Sequence, residues 1–230
     1  MTPLLIVGAG GFAREAAQAV LAAGSHGSHG SHTLLGHLDD DPALHGREVD
    51  GVPVLGPPEL VHDLTESQVV VCVGSPRAYA SRARLVRRLD LPESRYATVL
   101  HPSAAVSASS TVGAGSVLLA HCVLTAAVRL GRHTAVMPHT VLTHDDVVGE
   151  YATLASGVRL GGGVRIGRGA YLGAGALVRE YTTIGDWSLV GTGSAVLGDV
   201  PPGEVWVGSP ARRLRAAAAG ELRELAAGHV

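Results

Sequence analysis

The sequence predicts two units in tandem: an α/β half-Rossmann unit, then a triangular parallel β-helix of hexapeptide repeats closed by a short helical tail. Three observations predict this. Every sixth residue from Leu100 to Val196 is apolar, seventeen in phase, from Leu100, Val106 and Val112 through Leu142, Val148 and Leu154 to Ile184, Val190 and Val196. Two residues before these positions the chain is mostly small, as at Ala104, Ser116, Cys122, Thr140, Ala152, Ala170 and Ser194. Ahead of the repeat, an apolar run, a Gly-rich turn and a helical pattern succeed one another between Leu4 and Ala23. The boundaries read as 1–97 for the first unit, 98–210 for the solenoid and 211–230 for the tail.

Leu4-Leu5-Ile6-Val7 reads as a strand buried on both faces. Gly8-Ala9-Gly10-Gly11-Phe12-Ala13 follows and leads into a helix, which makes the phosphate-binding βα turn of nucleotide-binding folds. A second strand is expected over Leu34–Leu38, ending at Asp39-Asp40-Asp41. A third covers Val69–Val73, followed by Gly74-Ser75 and a helix near Arg77–Leu89, and a fourth covers Tyr96–Leu100. The unit is too short for a full dinucleotide domain, so a mononucleotide or nucleotide-sugar ligand is expected. It would lie at the C-terminal strand ends, against Gly8, Gly10, Gly11, Phe12, Asp39, Asp40, Gly74 and Ser75. His26-Gly27-Ser28-His29-Gly30-Ser31-His32 reads as a surface insertion without function.

A period of six matches neither the helical nor the strand period alone. Three hexads close one coil of 18 residues, and the coils stack as parallel strands with the large apolar side chains inside. Glycines directly after the apolar residue (Gly113, Gly131, Gly149, Gly161, Gly167, Gly173, Gly185, Gly191) read as corners that need a positive φ. His121 and His139 fall at equivalent places on adjacent coils, about 4.8 Å apart.

A net charge of −2 gives no electrostatic case for nucleic acid or an anionic membrane. The N-terminus lacks the pattern of a secretory signal and no stretch is long enough to span a bilayer, so a soluble cytoplasmic protein is expected. Cys72 and Cys122 fall in apolar strand positions and read as buried thiols.

The order of parts is specific: the Gly-rich half-Rossmann unit, the link Leu100-His101-Pro102-Ser103-Ala104, the prism with His144-Asp145 midway, and Val207-Gly208-Ser209-Pro210-Ala211-Arg212 at its end. Over nearly its whole length the chain resembles the sugar acetyltransferase family that includes the sialic acid O-acetyltransferases and the UDP-amino-sugar N-acetyltransferases. The resemblance implies a left-handed β-helix, a homotrimer with active sites between subunits, and acetyl-CoA as cosubstrate without a metal. It also implies His144 as general base oriented by Asp145, and Gly161, Gly162, Gly173 and Arg212 at the coenzyme, with Gly162 as an oxyanion donor. The chemistry suits these residue types: imidazole titrates in the range needed to take a proton from the attacking acceptor, and a neighbouring carboxylate fixes its tautomer. Two positions depart from the family, with Thr153 where relatives commonly carry a second His and Met137 where they often carry Asn.

N-acetylation of a nucleotide-linked amino sugar is the reaction expected, with sugar O-acetylation as the alternative. Two other classes stay open. The His121–His139 pair with His144 nearby admits a zinc enzyme like the γ-type carbonic anhydrases. A non-catalytic trimeric assembly protein would keep the nucleotide pocket.

Overall fold

The computed structural model describes residues 1–25 and 32–217; residues 26–31 of the expected His-rich insertion lie outside them, and its last residue, His32, belongs to β2 instead. The first unit contains β1 (Thr2–Val7), α1 (Gly11–Ser25), β2 (His32–Leu38), β3 (Glu48–Val49), β4 (Val52–Gly56), β5 (Gln68–Val71) and α2 (Ser81–Leu89). Its sheet has the order β3-β4-β2-β1-β5, parallel except for the β3–β4 hairpin. β1 sits between β2 and β5 and is covered on both faces, so Leu4, Leu5, Ile6 and Val7 are all fully buried.

The β3–β4 hairpin is absent from the sequence-based expectations, and one expectation needs correction. β4 does not stand out because its side chains alternate between buried and exposed and Pro53 interrupts it. The signal was Asp50-Gly51, two residues with positive φ (50° and 77°) that close the hairpin between Val49 and Val52. The fourth strand does not join this sheet. Tyr96 keeps one parallel bridge to Val69, while Val99–Leu100 pairs with Val117–Leu118 and opens the solenoid.

Seventeen two-residue strands follow, from β6 (Val99–Leu100) to β22 (Ala195–Val196). They form a left-handed β-helix with three parallel faces. The first face carries Val117–Leu118, Ala135–Val136, Thr153–Leu154 and Tyr171–Leu172. The second carries Val123–Leu124, Val141–Leu142 and Leu177–Val178, and the third Arg129–Leu130, Val147–Val148 and Arg165–Ile166. Pairing at a separation of 18 residues (Leu124↔Leu142, Val136↔Leu154) stacks the sixth-residue side chains into one core. The small register is inside too: Ser116, Thr134, Thr140 and Ser188 are buried, and their hydroxyls bond to backbone groups or to one another.

The corner glycines serve another purpose than the one expected. Positive φ falls three residues after the apolar position, at His121, His133, Asp145 and Tyr151 (60°, 55°, 64°, 61°) as well as at Gly163. The glycines directly after the apolar residue are demanded by crowding: a Cβ on Gly131 would lie 2.6 Å from the Glu150 nitrogen, and one on Gly149 2.7 Å from that of Arg168.

α1 lies on the first face at the base of the prism, where Ala13, Ala16, Ala17 and Val20 pack with Val99, Val117 and Leu119. At the far end β23 (Glu204–Gly208) and β24 (Ala211–Ala216) form an antiparallel hairpin that completes the first-face sheet. The expected helical tail therefore begins as a strand. Pairing with β23 satisfies its backbone, and Glu204 accepts from both Arg213 (2.7 Å) and the Trp206 indole (2.8 Å). Residues 218–230 of that tail lie outside the described residues. Among the described residues no helix is long and apolar enough to cross a membrane.

Gly149→Ala is expected to destabilise the protein by about 1–3 kcal/mol in thermal unfolding, because the new methyl overlaps backbone that cannot yield. Gly10→Ala, whose Cβ would meet nothing within 4 Å, is the control and should move stability by less than about 1 kcal/mol.

Candidate active site

The residues expected at the nucleotide lie at the C-terminal ends of β1, β2 and β5, where several of them are tied together. At Gly8 φ is 114° and a Cβ would lie 2.8 Å from the Cys72 carbonyl oxygen, so only glycine lets the β1–α1 turn pass beside β5. The Ala9 N–H donates to Asp39 Oδ2 at 2.7 Å, and the Asp41 N–H donates to Asp39 Oδ1 at 2.9 Å. Asp39 thus joins two crevice loops. Asp40 pairs with Arg88 at 2.7 Å, which also reaches Glu59. Gly10 and Gly11 border open space, and Gly74 and Ser75 follow β5 on the other side. His37, buried beneath the turn, bonds through Nδ1 to the Gly8 carbonyl at 2.9 Å, and burial holds its pKa down.

His144 stands at the corner between the second and third faces. Its neighbour Asp145 takes the left-handed conformation that this corner position requires. The imidazole Nδ1 lies 2.9 Å from Asp145 Oδ2, and both side chains are exposed. The carboxylate is an acceptor only, so Nδ1 carries the proton and the Nε2 lone pair is left for chemistry. The imidazole lies over Gly162, one coil further on, where any Cβ would collide with Nε2. The Gly162 carbonyl accepts from the Tyr181 N–H at 2.9 Å, while no backbone carbonyl among the described residues takes the Gly162 N–H.

Beneath this pair sits Asp146, a residue sequence reasoning did not single out. It is fully buried in the inward register otherwise held by Ser, Thr, Cys, Ala and Val, and that charge among small and apolar residues was the available signal. Its Oδ2 accepts the Thr143 N–H and its Oδ1 the Val164 N–H, both at 2.8 Å, which pins the His144 corner to the next coil. Burial pushes its pKa up to about 6, although both hydrogen bonds favour the ion.

A cavity of about 150 Å³ separates the two units, walled by Phe12, Gly74 and Arg82 on one side and by Met137, Thr153 and Tyr171 on the other. Arg82 is the missed residue here. It occupies the first position of the stripe Arg82, Leu85, Val86, Leu89 on α2, where an apolar residue would be ordinary. It is only 2% exposed, and one Nη donates to Tyr151 O (2.9 Å), Ala152 O (3.0 Å) and Thr153 Oγ1 (2.8 Å). The Phe12 ring lies 5.9 Å from its guanidinium carbon, and burial lowers its pKa to about 10. Tyr79, which donates to the Trp187 carbonyl, and Tyr96, edge-on to His133, complete the junction.

The expected coenzyme residues separate. Gly161 and Gly162 adjoin His144, Gly173 lies at the corner beside the cavity, and Arg212 is on β24 at the prism end. His121 and His139 stack at 5.0 Å with their planes 24° apart, so their ring nitrogens do not converge on one ion. No group of three His, Cys, Asp or Glu among the described residues is arranged to hold a metal. Cys72 and Cys122 are buried, and burial raises their pKa values to about 12 and about 11.

Residues 3–89 match the family of PglD N-terminal domains. The acetyltransferase domain of PglB from Neisseria gonorrhoeae, in complex with acetyl coenzyme A, is 29% identical with a TM-score of 0.81, over 93% of this chain and 99% of that one. PerB from Caulobacter crescentus, in complex with CoA and GDP-perosamine, is 30% identical with a TM-score of 0.80, over 92% of this chain and 97% of that one. The chain belongs to the hexapeptide-repeat family of sugar acetyltransferases. WeeI from Acinetobacter baumannii shares the fold at 24% identity and a TM-score of 0.75, over 93% of this chain and 100% of that one. No curated protein sequence matches the chain.

In this acyltransferase Arg82→Met should lower stability by roughly 1–3 kcal/mol, because two buried carbonyls and the Thr153 hydroxyl lose their donor. Calorimetric unfolding checks this. Asp146 supplies a pH signature. Its folded pKa lies above the unfolded value of 3.8, so the folded state binds the proton more tightly and this group's contribution to stability falls as pH rises from about 4 to about 6. Asp146→Asn should flatten that fall in a pH series of unfolding free energies.

Proposed function

We propose that this acetyltransferase moves the acetyl group of acetyl-CoA onto the amine of a nucleotide-linked amino sugar, with His144 as general base. The observation that carries the reading is the His144–Asp145 pair lying over Gly162: one imidazole nitrogen is held by a carboxylate, the other has no hydrogen-bond partner among the described residues, and beside it lies a backbone N–H that no backbone carbonyl among those residues takes. PglB binds acetyl-CoA, and perosamine N-acetyltransferase, 29% identical to this chain, binds CoA and GDP-perosamine, which supports both substrates and N- rather than O-transfer.

The sugar amine attacks the thioester carbonyl carbon. The carbonyl electrons move onto oxygen, where the Gly162 N–H can bond the oxyanion, and Nε2 of His144 takes the proton the amine loses. Collapse of the intermediate breaks the C–S bond, and the imidazolium returns the proton to the departing thiolate. Asp145 holds the tautomer and stabilises the imidazolium. No acyl-enzyme enters, in keeping with two cysteines buried as thiols.

The nucleotide would occupy the crevice at Gly8–Phe12 and Gly74–Ser75, which borders the cavity on the first face. His144 stands at the corner opposite that face. This favours an active site assembled between copies, in which His144 of one chain serves the pocket of another. Of the outward residues of the second face, Val123, Val141, Leu177 and Ala195 are apolar around a single exposed Arg159, with Leu177 46% exposed in the single chain, and they give such a neighbour a largely apolar surface.

His144→Ala should cut kcat for CoA-thiol release by roughly 10²- to 10⁴-fold with the KM for acetyl-CoA little changed, and Asp145→Asn by less. Turnover undiminished in His144→Ala would refute the assignment of the base.

A further inference from the structure

The prism keeps one hydrogen-bond rule from His101 to Arg179, and among the described residues Thr143 alone departs from it. The residue after each sixth-residue apolar side chain donates its N–H to the apolar residue's carbonyl on the next coil, as Thr125 does to Leu142 (3.1 Å) and Gly161 to Val178 (2.9 Å). Thr143, immediately before His144, donates sideways to Asp146 Oδ2 at 2.8 Å instead. The Leu160 carbonyl it leaves is taken by its own hydroxyl, Oγ1, at 3.1 Å. Strand pairing shows the same break: Val141–Leu142 meets Arg159–Leu160 at one position, Val141↔Arg159, whereas Val123–Leu124 meets Val141–Leu142 at two. Regular bonding resumes at once, with the Asp145 N–H on the Ala126 carbonyl (3.0 Å) and the Gly163 N–H on that of His144 (2.8 Å).

A coil can be built without this exchange. Position 146 stacks in one column with Ser110, Val128, Val164 and Thr182. There Ser110 Oγ accepts the Val128 N–H at 3.1 Å, so a neutral hydroxyl suffices to tie one coil to the next. Asp146 Oδ1 performs that task toward Val164, and its second oxygen is the addition. Full burial of a carboxylate is costly, and here the extra oxygen acts on a single peptide, the one that leads into His144. A bond to an ionised acceptor is shorter and stronger than a neutral ladder bond. The carboxylate and the Leu160 carbonyl hold Thr143 at two points where a regular residue is held at one.

We propose that Thr143 and Asp146 are positioning residues for acetyl transfer: by taking one peptide off the ladder they set the direction in which the chain enters the corner, and so hold the His144 imidazole over Gly162. This rests on the reading of His144 as base. A misplacement of about 1 Å can cost roughly 100-fold in rate, which sets the size of the effect.

The test is the double variant that restores the rule, Thr143→Val with Asp146→Ser, beside Thr143→Ser as the conservative change. Serine at 146 keeps an acceptor for Val164, as Ser110 does for Val128, and valine at 143 frees the Leu160 carbonyl for the backbone N–H. The double variant should unfold at a temperature no lower than the wild type, because a buried carboxylate is removed and a ladder bond gained. Its kcat for CoA-thiol release should fall roughly 10- to 100-fold with the KM for acetyl-CoA little changed. Thr143→Ser keeps the hydroxyl and should keep most of the wild-type kcat. A merely structural pair gives the reverse, so a double variant that melts lower or fails to fold overturns the proposal. Its crystal structure adds a readout without turnover: the imidazole should have left its place over Gly162, and an imidazole still there overturns the proposal. A displaced imidazole with undiminished kcat would support the positioning and refute the catalytic reading of His144.

Discussion

Coils of 18 residues stack at strand spacing, so each residue rests directly on the one a coil away, and the rest of the molecule follows from that contact. Where backbones meet at a corner there is no room for a Cβ, which explains the column Gly113, Gly131, Gly149, Gly167. Where a side chain folds over the coil beside it, its neighbour must be glycine, as Gly162 is beneath the His144 imidazole. Where neither neighbour is glycine the rings stack, as His133 and Tyr151 do at 5.2 Å. The same contact lets Asp146 hold the Val164 N–H one coil further on. The geometry of the candidate site is therefore a property of stacking between coils.

The second organising contact is the one between units. α1 covers the lower first face with small and aliphatic side chains, while Arg82 reaches from α2 to three acceptors on the prism. This junction holds the Gly74 loop and Phe12 at a fixed distance from Met137 and Thr153 and leaves a cavity between them. A buried guanidinium bonded to backbone carbonyls is strongly directional, so it defines the angle between the units more sharply than apolar contacts would.

Much of this was legible in the residues themselves. The hexad repeat locates each inward side chain because a strict period of six leaves the solenoid little freedom of register. The Gly-rich turn announces the first βα unit through its context of strand and helix. His144-Asp145 is visible as a pair, and its geometry follows from its corner. What escapes the sequence depends on contacts distant along the chain. Arg82 breaks the apolar stripe of α2, but its purpose is defined only by acceptors about 70 residues away, and a carboxylate at Asp146 is intelligible only once Val164 lies above it. Positive φ at His121, His133 and Tyr151 is hidden because the fold, and not the local residue, imposes it. The turn from expected helix to strand at Ala211–Ala216 has the same origin, since β23 supplies a free edge that no local propensity reveals.

Separation of His144 from the cavity within one chain makes cooperation between copies the central claim. The most direct measurement is complementation: coexpress His144→Ala with Ala174→Trp, in which an indole replaces the methyl of Ala174 on the cavity wall, and assay the mixed assemblies for acetyl transfer. Each variant alone should be inactive. If His144 of one copy serves the pocket of the next, random mixing restores about a quarter of wild-type activity, because that fraction of interfaces pairs an intact pocket with an intact base. Mixed assemblies that form normally and regain nothing would contradict the account.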